Sequence, residues 1–168
     1  MTAPAPEQLA RVGDWIRREA AAKSLDEILA WVKERQEQLI ASAQSLTEDQ
    51  LGAAPSAGEW SPLEALKHVV EWNCQVSEDV LHACLTGERP GSPLPTFDAA
   101  LDSLVARQRE SLESVWAHVS EAEPGAFLDL KWEHPFFGML NWREWFLFLG
   151  VHCTDHAIQI RAASPASG

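Results

Sequence analysis

His152 and His156 stand one helical turn apart in the most aromatic stretch of the chain, which runs from Trp142 through Trp145, Phe146 and Phe148. On a helix, residues four apart are offset by about 40° in angle and roughly 6 Å in rise, so the two imidazoles converge on one point. Neutral imidazoles at this spacing can hold a divalent metal ion, as they do on zinc-binding helices. With His152 as angular origin, Trp145, Leu149, Ile160 and Ala163 fall on the same side. The pair therefore projects from an apolar stripe, where a polar ring without a partner is costly. Two structural histidines, each with its own hydrogen-bond partner, are the alternative reading of the same spacing. His68, beside Ala65, Trp72 and Val76 in a separate predicted helix, is a candidate third ligand. Glu64 and Glu71 flank it on the other side, and Glu71 is the candidate general base.

The elements that must position these residues are marked by their starts. Ser24-Leu-Asp-Glu27, Thr47-Glu-Asp-Gln50, Ser61-Pro-Leu-Glu64 and Asn141-Trp-Arg-Glu144 all have the form of a capping box. The first predicts a helix with Leu25, Ile28, Leu29, Val32, Leu39, Ile40 and Ala43 as its apolar stripe. The second predicts a single turn before the Pro55–Gly58 loop. The third, with Pro62 at the first helical position, predicts a helix to about Thr86, ended by Gly87. Thr96 is expected to cap another long helix, with Phe97, Leu101, Leu104, Leu112, Val115 and Val119 on one face and Pro124-Gly125 as its stop. Residues 126–138 interleave apolar and charged side chains and predict an extended segment or a short hairpin at most. The last helix runs from the Asn141 cap to about Ala163, and a shorter one around residues 7–22 precedes all the others.

The expected fold is all-α. A four-helix bundle spans residues 24–163, with an N-terminal arm and short helix over residues 1–23 and a disordered tail over residues 164–168. Leu147, Val151 and Ile158 give the last helix a second apolar stripe, away from the histidines. Either the N-terminal helix, with Leu9, Val12, Ile16 and Ala20, covers that stripe or a second subunit does; a homodimer is the expectation.

Composition narrows the function. The net charge of −12 repels phosphate backbones and argues against nucleic acid as a partner. No apolar run reaches the roughly 18 residues of a membrane span, and Met1-Thr-Ala-Pro-Ala-Pro lacks signal-peptide character. A cytoplasmic protein acting on a small-molecule substrate is expected. Cys74, Cys84 and Cys153 form no Cys-x-x-Cys pair and read as buried thiols. Gln36 and Gln108 each fall in the middle of an apolar stripe and are candidates to face a pocket, as are the rings of Trp72 and Trp145.

Leu66-Lys-His68-Val-Val-Glu71-Trp72, a distant His134-Pro-Phe-Phe-Gly138, and a final helix carrying His152-x-x-x-His156-x-x-Gln159-Ile160 follow in an order and separation that resemble the DinB-like (YfiT-type) four-helix-bundle metalloproteins. The resemblance covers roughly residues 25–163. It implies one divalent ion, zinc, nickel or iron, held by His68, His152 and His156, and a pocket mouth approached by His134. Family members include transferases and isomerases that use low-molecular-weight thiols such as mycothiol or bacillithiol, and metal-dependent hydrolases. Three imidazoles would leave a coordination position for water or thiol. A metal-bearing bundle without turnover is the alternative.

Overall fold

The computed structural model describes residues 5–163; residues 1–4 of the expected arm and the expected tail lie outside them. Six helices and two short strands follow in the order α1 (Pro6–Ala22), α2 (Leu25–Gln44), α3 (Glu48–Gly52), α4 (Pro62–Thr86), α5 (Leu101–Val119), β1 (Lys131–His134), β2 (Gly138–Asn141) and α6 (Trp142–Ala162). All four capping boxes form with both arms closed, at Ser24, Thr47, Ser61 and Asn141. Each satisfies two backbone donors that the first helical turn leaves without partners. Gly87, in the left-handed conformation at φ 69°, ends α4.

Helices α2, α4, α5 and α6 pack as the four-helix bundle, and α1 lies against α6. Every residue of α6 from Trp142 to Gly150 is buried, because α1, α2 and α4 all press on that half of the helix. Ile16 and Ala20 of α1 join the same core as Leu147, and Val12 and Val151 pack at its margin. The N-terminal helix thus takes the upper part of the second stripe of α6, while Ile158 at its far end remains 56% exposed. Arg143, buried near the start of α6, donates to the carbonyls of Ala20 and Lys23 at the end of α1 and to that of Pro124. A guanidinium suits this place, since the last carbonyls of a helix have no intrahelical donor and carry partial negative charge.

Two local expectations are corrected. Thr96 caps no helix: α5 begins five residues later, behind Ala100, and ends at Val119 rather than reaching Pro124. The Phe97 N–H is instead taken by Glu71 Oε1 at 2.9 Å, and the linker before it is fastened to α4 in the same way. Gln75 donates to the Ser92 carbonyl at 2.6 Å, and Asp79 accepts from the Ser92 N–H at 3.0 Å. Glu71, Gln75 and Asp79 are spaced four apart and so form one row along α4. Residues 131–141 form a two-stranded antiparallel hairpin, with Trp132 opposite Leu140 and His134 opposite Gly138. It delivers the chain directly to the Asn141 cap of α6.

At Gly150, α6 comes directly against the Trp31 ring of α2. A Cβ there would run into the six-membered ring of Trp31. That ring cannot easily retreat, since Trp15 packs on it at 5.4 Å and Arg35 lies over it at 5.5 Å. Gly150→Ala would gain about 1 kcal/mol of helix propensity, against an overpacking cost of about 1–3 kcal/mol. We expect net destabilisation in urea unfolding, and a reversal of sign when Trp31→Leu removes the obstructing ring. A stabilising Gly150→Ala in the wild-type background would contradict this packing.

Candidate metal centre

The bundle brings His68 of α4 against His152 and His156 of α6. One ring nitrogen from each lies within 4.8 Å of the others, and among the described residues no cysteine or carboxylate joins the set. Ring centroids are 5.3 Å apart for His68–His152, 5.1 Å for His68–His156 and 4.9 Å for His152–His156. Nitrogens around a tetrahedral zinc stand about 3.4 Å apart, given bonds of about 2.1 Å, so small rotations of the rings would close the set on an ion.

The chemistry of the donors suits a cation as well as their spacing does. Burial pushes His68 down to about 4, helped by its neighbour His156 and opposed by Glu71. Burial also holds His152 well below the usual imidazole range, with His156, His68 and His134 adding to the effect. His156 is lowered by burial too, against the Gln159 hydrogen bond and the Asp155 charge. All three rings are therefore neutral near pH 7 and present lone pairs. His152 Nδ1 lies 3.0 Å from Asn73 Oδ1, and His156 Nδ1 lies 2.7 Å from Gln159 Oε1. An amide oxygen accepts, so each Nδ1 carries the proton and each Nε2 is left with its lone pair.

Aromatic rings wall the cluster. Trp60, just before the α4 cap, sits 4.7 Å from His68 and stacks on His156 at 6.3 Å. Trp72 lies 6.2 Å from His68 and 6.3 Å from His152. Phe148, one turn before His152, stacks on it at 5.5 Å. Beyond Trp60 a cleft of about 440 Å³ opens, bordered by Pro55, Glu59, Asp155, Ile158 and Gln159. Trp60 and Gln159 border both cleft and cluster, so the cleft adjoins the histidines.

The remaining candidates have different surroundings. Glu71 accepts from the Phe97 N–H and lies 3.7 Å from the Lys67 ammonium, which gives its carboxylate a role in fastening the linker. Trp145 is one layer behind the histidines, stacked on Trp132 at 5.5 Å and 5.7 Å from Phe148. Gln36 is buried and borders a separate cleft of about 300 Å³ between α2 and α5, with Lys33, Arg109 and Trp116. Gln108 is also buried and reaches Cys153 Sγ at 3.8 Å. His134 is shut among Phe137, Trp145 and Phe148, and its Nδ1 accepts from the N–H groups of Phe136 and Phe137 at 3.1 and 3.3 Å. Sequence reasoning passed over Asn73 and Phe148. The signal for Asn73 was present: it interrupts the aliphatic series Leu66, Val69, Val76 and Val80 on the buried arc of α4.

Comparison with known proteins places the family and the fold. Residues 32–160 match the model of the DinB superfamily. The chain belongs to the DinB superfamily. A crystal structure titled as that of TT2238, a four-helix bundle protein, superposes with a TM-score of 0.60 at 22% identity, covering 83% of this chain and 99% of that one. At this identity the likeness speaks for the fold. No curated protein matches the chain. Among the described residues no helix is long and apolar enough to cross a membrane.

The burial of His134 makes a pH dependence measurable. Its imidazole is pushed by burial from 6.5 down to about 4. Between those values the unfolded chain binds a proton at this site that the folded chain refuses, so the contribution of His134 to stability falls as pH drops from about 6.5 to about 4 and is constant above it. His134→Asn keeps a side-chain oxygen able to accept the Phe136 and Phe137 N–H groups and removes the titrating ring. Urea unfolding in the presence of chelator should show a shallower loss of stability in that window for the variant. An unchanged slope would mean that His134 protonates in the fold as readily as a free imidazole.

Proposed function

We propose that this DinB superfamily member holds one divalent ion, zinc, nickel or iron, through one ring nitrogen each of His68, His152 and His156. The convergence of three neutral imidazoles beside a cleft carries the reading. A fourth protein ligand is what a structural zinc site usually has, and three leave a position for an exchangeable partner. An ion held there supplies Lewis acidity, enough to make a water or a low-molecular-weight thiol nucleophilic near neutral pH.

The chain's own residues do the rest. Asn73 and Gln159 orient the two α6 imidazoles through their Nδ1 protons. Trp60, Trp72 and Phe148 keep bulk water from the inner faces of the rings. The cleft past Trp60 admits a small electrophile, and its apolar rim of Pro55, Trp60 and Ile158 suits an uncharged one. The proposed reaction is thiol transfer, thiol-dependent isomerisation or hydrolysis of such a molecule.

Elemental analysis of purified protein should find about one divalent ion per chain. His152→Ala or His156→Ala should abolish it, and His68→Ala should weaken binding by at least about tenfold, since two imidazoles hold an ion poorly. Equal metal in the wild type and the His152→Ala, His156→Ala double variant would end the metal reading. Cobalt substitution tests the open position. Added thiol or azide should change the visible spectrum; a spectrum indifferent to both would leave a metal-bearing bundle without turnover.

A further inference from the structure

Behind His152 a chain of polar side chains crosses the apolar interior. Asn73 Oδ1 faces His152 Nδ1 at 3.0 Å, Asn73 Nδ2 donates to Cys153 Sγ at 3.3 Å, and Gln108 Nε2 reaches the same sulfur at 3.8 Å. Asn73 and Gln108 are 2% and 3% exposed and Cys153 is fully buried, so none of these groups can turn to water for a partner. An asparagine amide is nearly symmetric in shape, and its two ends differ only in that one accepts and the other donates. If the amide were turned over, its NH2 would face His152 Nδ1, favour the tautomer protonated at Nε2, and block the nitrogen that must bind the metal. The partner at the far end of the amide sets the tautomer of His152 as long as that partner accepts, as it does here from Asn73 Nδ2.

That partner is a sulfur. Cys153 follows His152 directly, yet its side chain leaves α6 about 100° around the axis from the imidazole, toward Asn73 and Gln108 and not toward the cluster. We propose that Cys153 is a positioning residue: its buried sulfur takes the Asn73 amide N–H, turns the amide oxygen toward His152, and so commits His152 to the Nδ1–H tautomer that leaves Nε2 for the metal. Gln108 supports the same sulfur from α5, and three helices of the bundle thereby share in setting one ring. The inference rests on the metal reading for its purpose, but the tautomer itself is a property of the metal-free protein.

The test uses full-length protein with 15N-labelled histidine, freed of metal by chelation and observed by long-range 1H–15N correlation near pH 7.5. The His152 signals are assigned by their loss in His152→Ala. Wild type should show His152 protonated at Nδ1. Cys153→Ala should give a mixture of tautomers and lower metal affinity by about tenfold, the scale on which partners of metal ligands act. Cys153→Ser, which keeps an acceptor, should restore both. In an Asn73→Asp background no amide remains to be oriented, so adding Cys153→Ala should leave the tautomer unchanged. Wild-type His152 protonated at Nε2 would overturn the proposal even if no variant folded. So would a Cys153→Ala protein that keeps both the tautomer and the affinity, or a serine variant that behaves like the alanine one. A wild type that binds no metal would remove the metal reading, and the tautomer measurement would still decide the role of Cys153.

Discussion

Imidazoles that stay neutral in a largely desolvated helical interface impose a constraint from which the surrounding structure follows. A ring of this kind brings one donor and one acceptor, and both must be matched where water is absent. On α6 the donors are matched by amide oxygens, from Asn73 across the interface and from Gln159 one turn along the same helix. One ring nitrogen each of His152 and His156 lies within 4.8 Å of one on His68. Desolvation keeps the rings uncharged, so they can share one point with their lone pairs available instead of repelling one another as cations.

This arrangement requires α6 to be held from several sides at once. Helix α2 reaches it closely through the Trp31 ring over Gly150, α4 supplies His68 and Asn73, and α1 closes the outer flank. Arg143 ties the start of α6 to the end of α1 through carbonyls that would otherwise lack donors. The turn that precedes the hairpin adds a further brace, since the Trp142 indole donates to the Ala126 carbonyl at 2.7 Å. A displacement of any of these elements would be felt at the spacing between His68 and the α6 pair.

How far this could be read from the chain depended on whether the deciding partner was near in sequence. The capping boxes were legible because both members lie within four residues, and all four formed. Thr96 looked like a cap for the same local reason, but the N–H of Phe97 was claimed by Glu71, 26 residues away. The polarity of Gln36 and Gln108 in apolar stripes was visible, whereas their destinations, a cleft between α2 and α5 for one and the Cys153 sulfur for the other, depend on how helices meet. His152 and His156 were legible from spacing on one helix. Joining His68 to them needed either the fold or a resemblance, because nothing local states which face of α4 meets α6.

The row of Glu71, Gln75 and Asp79 has a consequence for how the surface of this protein can change. These side chains grip the linker through its main chain, at the N–H and carbonyl of Ser92 and the N–H of Phe97. Side-chain identity between residues 91 and 96 is therefore weakly constrained: Gly91, Pro93, Leu94 and Thr96 are all exposed. Proline alone is barred at 92 and 97, where it would delete the N–H that is held. The segment can diverge in sequence, or accept a grafted recognition motif, while its path over α4 stays the same.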